Sequence, residues 1–268
     1  MGEVVAPCIY DGVGYFSEGL AHVEQNGKEG VINTKGEEVI PCIYDGVWDF
    51  HEGLACVEQN GKWGYINTKG EVVIPCIYDD ALTFFEGLAK VELNDKRGFI
   101  NTKGEMIIPC IYGWAHDFSE GLVCVQQSDC KNGKYGFINS KGELVIPCIY
   151  DWAGDFSESF ACVKQNGKCG YINTKGELVI PCIYDDAEVF SEGLACVKQN
   201  GKCGYINSKG ELVIPCIYDD AEDFSEGLAQ VRQDDWEYGK YSIINTDGKV
   251  IVAEYDEWTS FWSKVEME

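Results

Sequence analysis

The stretch Leu194-Ala195-Cys196-Val197-Lys198-Gln199-Asn200-Gly201-Lys202-Cys203-Gly204-Tyr205-Ile206-Asn207-Ser208-Lys209-Gly210-Glu211-Leu212-Val213-Ile214-Pro215-Cys216-Ile217-Tyr218 reads as three strands joined by two tight turns. Asn200-Gly201 is the strongest short signal for a hairpin, because both residues tolerate a positive φ. Gly210 sits where a second turn needs a left-handed residue. The third strand meets Pro215, which has no amide hydrogen to give to a ladder, so this strand lies at an edge, bends, or ends there. The acidic and aromatic segment from Tyr218 to Gly227 reads as a connecting turn or a short helical turn.

This stretch is one copy of seven. Pro-Cys-Ile-Tyr begins at Pro7, Pro41, Pro75, Pro109, Pro147, Pro181 and Pro215, with 34 residues between copies except for 38 between Pro109 and Pro147, and the chain has no other proline. A fixed period of this size marks an array of units that are each too small to bury an apolar face alone and must stack on their neighbours. Comparing the copies separates core from surface. Ala21/Val23, Ala55/Val57, Ala89/Val91, Val123/Val125, Ala161/Val163, Ala195/Val197 and Ala229/Val231 keep one face of the first of these strands small and apolar. Ile32, Ile66, Ile100, Ile138, Ile172, Ile206 and Ile244 form a second core column, and Phe16, Phe50, Phe84, Phe118, Phe156, Phe190 and Phe224 a third. The opposite face of the first strand reads His22, Cys56, Lys90, Cys124, Cys162, Cys196 and Gln230, which implies partial solvation. Four-residue insertions after Gln127 and Gln233 lengthen two hairpin tips.

The run Gly61-Lys62-Trp63-Gly64-Tyr65-Ile66-Asn67-Thr68-Lys69-Gly70-Glu71-Val72-Val73-Ile74-Pro75, followed by Tyr78-Asp79, resembles the WG repeat of bacterial proteins. The resemblance spans nearly the whole chain. It departs at the tryptophan, which only Trp63 keeps; Glu29, Arg97, Tyr135, Cys169, Cys203 and Tyr241 replace it elsewhere. It implies a β-rich repeat and carries no catalytic residues. The expected fold is all-β, an open solenoid-like stack of three-strand repeats forming one array over residues 1–268, with 250–268 as a C-terminal cap. The alternative is a closed seven-bladed β-propeller. Four-stranded blades generally need about 40 residues or more, so a period of 34 favours the open stack.

A net charge of −24 disfavours nucleic acid and anionic membrane, which are bound through lysine and arginine. No stretch reaches the ~20 apolar residues of a membrane-spanning helix, and no secretory signal is evident, so the chain is expected in the cytoplasm. The fourteen cysteines lack zinc-type spacing and read as small apolar fillers, with Cys169 and Cys203 the most exposed thiols because charged residues replace them in other copies. No metal site or cofactor is expected, since the acidic connectors lack an EF-hand pattern. His22, His51 and His116 never share a repeat position, and no phosphate loop or nucleophile elbow is present, so no enzyme is expected. The function expected is a scaffold that binds another protein through variable positions: His22, Glu29, Trp63, Lys90, Arg97, Tyr135, Cys169, Cys203 and Trp236. Two alternatives remain. One is a carbohydrate or small-ligand module whose grooves are lined by Tyr10, Tyr44, Tyr78, Tyr112, Tyr150, Tyr184 and Tyr218; the other is a cation-binding acidic protein.

Overall fold

The computed structural model describes residues 9–16, 19–127, 133–233 and 241–255. These form seven four-stranded antiparallel sheets, one per repeat, with no helix among the described residues. No sheet closes into a barrel. The sixth sheet is typical, with strands Asp186–Ser191, Leu194–Gln199, Lys202–Asn207 and Leu212–Tyr218 in that spatial order. The last three are the strands read from the sequence. The first is an addition: the acidic and aromatic connector pairs as a strand with its own sheet, Asp186 opposite Lys198 and Ser191 opposite Leu194. In the third and seventh sheets it shrinks to two residues, Asp80–Ala81 and Asp220–Ala221. Four strands fit into 34 residues because this strand is short and its turns are tight, so repeat length does not separate a stack from a ring.

The Asn-Gly hairpins form as expected, with φ of 54° at Asn200 and 79° at Gly201. A second left-handed turn joins the first two strands of the second to seventh sheets. Glu192 and Gly193 take φ of 53° and 78° there, and Glu52, Glu86, Glu120, Glu158 and Glu226 repeat the conformation. A glutamate in this region is uncommon. Its carboxylate reaches the following sheet: Glu158 accepts from the Gly193 amide and Glu192 from the Gly227 amide, both at 2.8 Å.

The fourth strand runs through its proline at the edge of the sheet. Tyr205 opposes Ile214 while Cys203 opposes Tyr218, so two residues on one strand face four on the other. The edge position and the bend are both as the proline implies. The bulge drives the fourth strand's backbone onto Gly204, where a Cβ would meet the Ile214 oxygen at 2.5 Å and the Cys216 nitrogen at 2.6 Å. Gly30, Gly64, Gly98, Gly136 and Gly170 sit under the same bulge.

The chain divides into two compact units. The first is Met1–Ala115 with the short pieces Gln127–Cys130 and Ser140–Gly142; the second takes the remainder. Within each, the cores lie between sheets and not inside them. In the first unit, Val31, Ile40 and Tyr44 of the first sheet pack on Val47, Ala55, Val57 and Ile66 of the second. In the second unit, Cys162, Cys169, Tyr171, Ile180 and Tyr184 of the fifth sheet pack on Ala187, Phe190, Ala195, Val197 and Ile206 of the sixth. Every wall is thus incomplete until a neighbouring repeat covers it, and burying it is the main apolar gain. The isoleucine column is fully buried, and Phe84, Phe156, Phe190 and Phe224 are buried with it, whereas Phe16 is exposed.

Val250–Tyr255 is the fourth strand of the seventh sheet, so it completes a repeat. The remainder of the expected cap lies outside the described residues.

Candidate functional site

Each repeat presents two faces with different roles. The face carrying Ala55 and Val57, and its equivalents in the third, fifth, sixth and seventh sheets, meets the preceding sheet. The face carrying positions 22 and 29 meets the following one, within each unit. The variable positions are therefore packed between consecutive sheets and are not an open surface. Glu29 accepts a hydrogen bond at 2.7 Å from the Val47 amide of the second sheet. Trp63 stands edge-on to Trp48, with ring centroids 5.7 Å apart. Lys90 donates to the Ala115 carbonyl at 3.2 Å. Arg97 donates to the Gly113 carbonyl at 2.6 Å, pairs with Glu92 at 2.9 Å and lies 4.6 Å over the Trp114 ring. His22 is half-buried and 3.3 Å from Asp49, and Tyr135 is half-buried. Trp236 lies outside the described residues.

Cys169 and Cys203 are corrections. They are only 2% and 7% exposed, in the cores between the fifth, sixth and seventh sheets. The charged residues at equivalent positions do not signal exposure, because side chains there reach polar backbone groups of the next repeat. The face carrying position 22 is likewise buried wherever it holds cysteine: Cys56, Cys124, Cys162 and Cys196 are 1–4% exposed. Cys56 and Cys124 donate to the carbonyls of Ala81 and Ala153 at 3.5 and 3.4 Å. Burial pushes the Cys56 thiol up to about 12.

The fifth and sixth repeats bring cysteines together. Cys162 opposes Tyr171 and Lys164 opposes Cys169, which puts Cys162 and Cys169 on one diagonal of the same face. Cys196 and Cys203 repeat the arrangement. In each pair the neighbouring thiol pulls the second cysteine below its ordinary value, with Lys164 or Lys198 adding to the effect. The first cysteine of each pair is pushed up by the same neighbour and by burial.

The tyrosine column does not line open grooves. Tyr44, Tyr78, Tyr150, Tyr184 and Tyr218 are 4–6% exposed and belong to the cores. A cleft of about 360 Å³ in the first unit is lined by His22, Val47, Trp48, Asp49, His51 and Thr83. Among the described residues no three His, Cys, Asp or Glu side chains converge as metal ligands.

The fourth strands are the exposed apolar feature. Leu178, Val179 and Ile183 are 50%, 39% and 49% exposed, and Leu212, Val213 and Ile217 are 51%, 40% and 45%. Ile43, Ile77, Ile111 and Ile149 continue the pattern. Alternation along a half-covered edge strand exposes them: Ile180 and Tyr184 turn into the core while their neighbours face solvent.

Between the strands, one polar network recurs. Asp185 accepts from Lys168 of the fifth sheet and, at 2.7 Å, from the Asn200 amide of the sixth. Asp45, Asp79 and Asp151 accept from Lys28, Lys62 and Lys134 in the same way. Gly113 takes this place before the fourth sheet.

The WG containing repeat model matches residues 1–28, 30–63, 63–96, 98–129, 135–169, 170–203 and 204–236. The chain belongs to the WG-repeat family. The bulge over Gly64 and its equivalents accounts for the glycine of that name, while the tryptophan position is one of the packed, variable sites. No curated protein sequence matches this WG-repeat chain. Among solved structures it is similar to a eukaryotic initiation factor, at a TM-score of 0.52 and 13% identity over 95% of this chain and 78% of that one. A quinonprotein alcohol dehydrogenase-like protein from Bacteroides thetaiotaomicron gives a TM-score of 0.36 at 10% identity, covering 88% and 81%. The first of these likenesses concerns the fold alone. No helix among the described residues is long and apolar enough to cross a membrane.

Proposed function

We propose that this WG-repeat chain is a non-enzymatic scaffold, working in the cytoplasm, that binds another protein along the fourth strands of its sheets. The carrying observation is the recurrence of half-exposed Ile149, Ile183 and Ile217, each on the same fourth strand as half-exposed Leu144, Leu178 or Leu212, in a chain of net charge −24. Exposed apolar patches rimmed by polar residues mark interaction sites. The surrounding acidity favours a partner with basic groups around an apolar contact. The variable positions between sheets tune packing in this reading and do not touch the partner.

The test compares the wild type with the triple variant Ile149→Ser, Ile183→Ser, Ile217→Ser as bait under reducing conditions. These side chains are half solvated, so the variant is expected to unfold at nearly the wild-type temperature. A protein retained by the wild type and lost from the variant supports the scaffold. Equal capture by both, or none by either alongside saturable binding of a glycan, overturns it.

A further inference from the structure

The two diagonal cysteine pairs are unused by the scaffold reading, and they differ from every other repeat. Position 22 and position 29 combine as His/Glu, Cys/Trp, Lys/Arg, Cys/Tyr, Cys/Cys, Cys/Cys and Gln/Tyr along the chain. Only the fifth and sixth repeats carry cysteine at both of these positions. Both members of each pair are buried, at 3% and 2% for Cys162 and Cys169 and 4% and 7% for Cys196 and Cys203. Tyr171, Tyr184, Ala187 and Phe190 share a core with the first pair, and Tyr205, Tyr218 and Phe224 with the second, while Lys164 and Asp186 act electrostatically on Cys169, and Lys198 and Asp220 on Cys203.

Two chemistries suit a pair of thiols on one diagonal of a sheet face, and register separates them. Diagonal neighbours in an antiparallel sheet have Cα atoms about 7–8 Å apart. A disulfide requires roughly 4.4–6.8 Å, and cysteines beyond about 7 Å need backbone movement to bridge. A metal ion inserted between the sulfurs removes that conflict, since two metal–sulfur bonds of about 2.3 Å each span up to ~4.6 Å where a disulfide spans ~2 Å. The donor set then narrows the metal. Zinc in a closed site takes four ligands, and no third His, Cys, Asp or Glu converges with either pair among the described residues. Calcium and magnesium require oxygen. A soft ion satisfied by two thiolates inside a buried core fits both pairs.

We propose that Cys162–Cys169 and Cys196–Cys203 are two equivalent bis-thiolate sites for a soft monovalent metal ion of the copper(I) class. Each site binds one ion between two strands of one sheet, under the wall supplied by the following sheet. Binding forms two metal–sulfur bonds, releases thiol protons to solvent and involves no change of oxidation state. Because the two thiols of each site are held together inside the cores between repeats, the bound ion stabilises the fold by binding the native state more tightly than the unfolded chain.

The test is an anaerobic titration of the reduced full chain with copper(I), in competition with a chromophoric copper(I) chelator. The expected result is two tight equivalents per chain and a higher unfolding temperature. Cys169→Tyr reproduces the pairing already present at Cys124 and Tyr135, so the fold is expected to accept it. This variant should retain one equivalent, and Cys169→Tyr with Cys203→Tyr should lose at least 100-fold in competition strength for both. Cys182→Ala with Cys216→Ala should retain two, which separates the pairs from the half-buried cysteines nearby. X-ray absorption should report two sulfur neighbours per ion. The proposal is overturned if the double tyrosine variant, verified as folded by circular dichroism, binds as the wild type does. It is equally overturned if the wild type takes up no copper(I), or if mild air oxidation cleanly links Cys162 to Cys169.

Discussion

The sixth and seventh sheets are nearly the same object built around a different bulge. In the sixth, Cys203 faces Tyr218 and Tyr205 faces Ile214, leaving two surplus residues on the proline-bearing strand. In the seventh, Tyr241 faces Tyr255 and Ile243 faces Val252, leaving one. Three sequence differences travel together with this shortening. No proline stands in the fourth strand, one residue is missing before its tyrosine, and Ser242 occupies the place of Gly204. The lesson is that glycine and proline in this repeat are two halves of one device. The wider bulge carries backbone to within 2.5 Å of a Cβ at Gly204, so only hydrogen fits there. With the narrower bulge, a side chain is tolerated and Ser242 is half-buried.

The sharpest way to break this comparison is Gly204→Ser in the sixth sheet. The intruding atoms would meet backbone, which cannot swing aside as a side chain can, so a loss on the order of 3 kcal/mol is expected from overpacking. Denaturant unfolding followed by circular dichroism would measure it. Deleting Pro215 in the same chain recreates the residue spacing of the seventh sheet, and should recover a large part of that loss. Simple addition of the two single effects would show that the bulge and the glycine are independent.

A smaller effect distinguishes repeats with tyrosine from those with phenylalanine at the strand centre. Tyr65, Tyr171 and Tyr205 donate to the carbonyls of Leu82, Glu188 and Glu222 in the following sheet, each at 2.6 Å. Phe137 fills the same core position without a hydroxyl. Tyr205→Phe should cost about 1 kcal/mol, the net contribution of one such bond. Phe137→Tyr would sharpen the comparison if it returned a similar gain in the unfolding midpoint.

The smallest effect concerns pH. The Asp45, Asp79, Asp151 and Asp185 carboxyls are held below the ordinary carboxylate range, first by the lysine of the preceding sheet and then by the hairpin amide of their own. A depressed folded value means the stabilisation is complete above the unfolded value near pH 4 and fades as pH falls through the folded one. Unfolding midpoints measured from pH 6 to pH 2 should therefore decline at the acid end. The triple variant Asp45→Asn, Asp79→Asn, Asp185→Asn should show a flatter decline, because these carboxylates are exposed and each contributes little.

Much of this architecture was legible in residues with a single physical reading. Asn200-Gly201 admits one hairpin, Pro215 requires its strand to lie at an edge, bend or end, and an isoleucine repeated at one position in every copy can only be core. The first strand of each sheet escaped because its marks are weak. Asp80–Ala81 is two residues long, and Asp186–Ser191 carries acidic residues that disguise its inward Ala187 and Phe190. The Glu-Gly step after it, present from Glu52-Gly53 to Glu226-Gly227 except at Glu158-Ser159, was the available signal for a turn. Cys169 and Cys203 were misread for a different reason. Variation at one position suggests exposure only when each sheet ends at solvent, and here the variable face of one repeat is the floor of the next.

Those shared cores also bear on how the gene can change length. The wall that the fifth repeat offers its successor, Cys162, Cys169, Tyr171, Ile180 and Tyr184, matches the one offered by the sixth, Cys196, Cys203, Tyr205, Ile214 and Tyr218. A slipped recombination that gains or drops one period anywhere in this region rejoins surfaces that already fit. The heritable unit is then any 34-residue window, wherever its breakpoints fall.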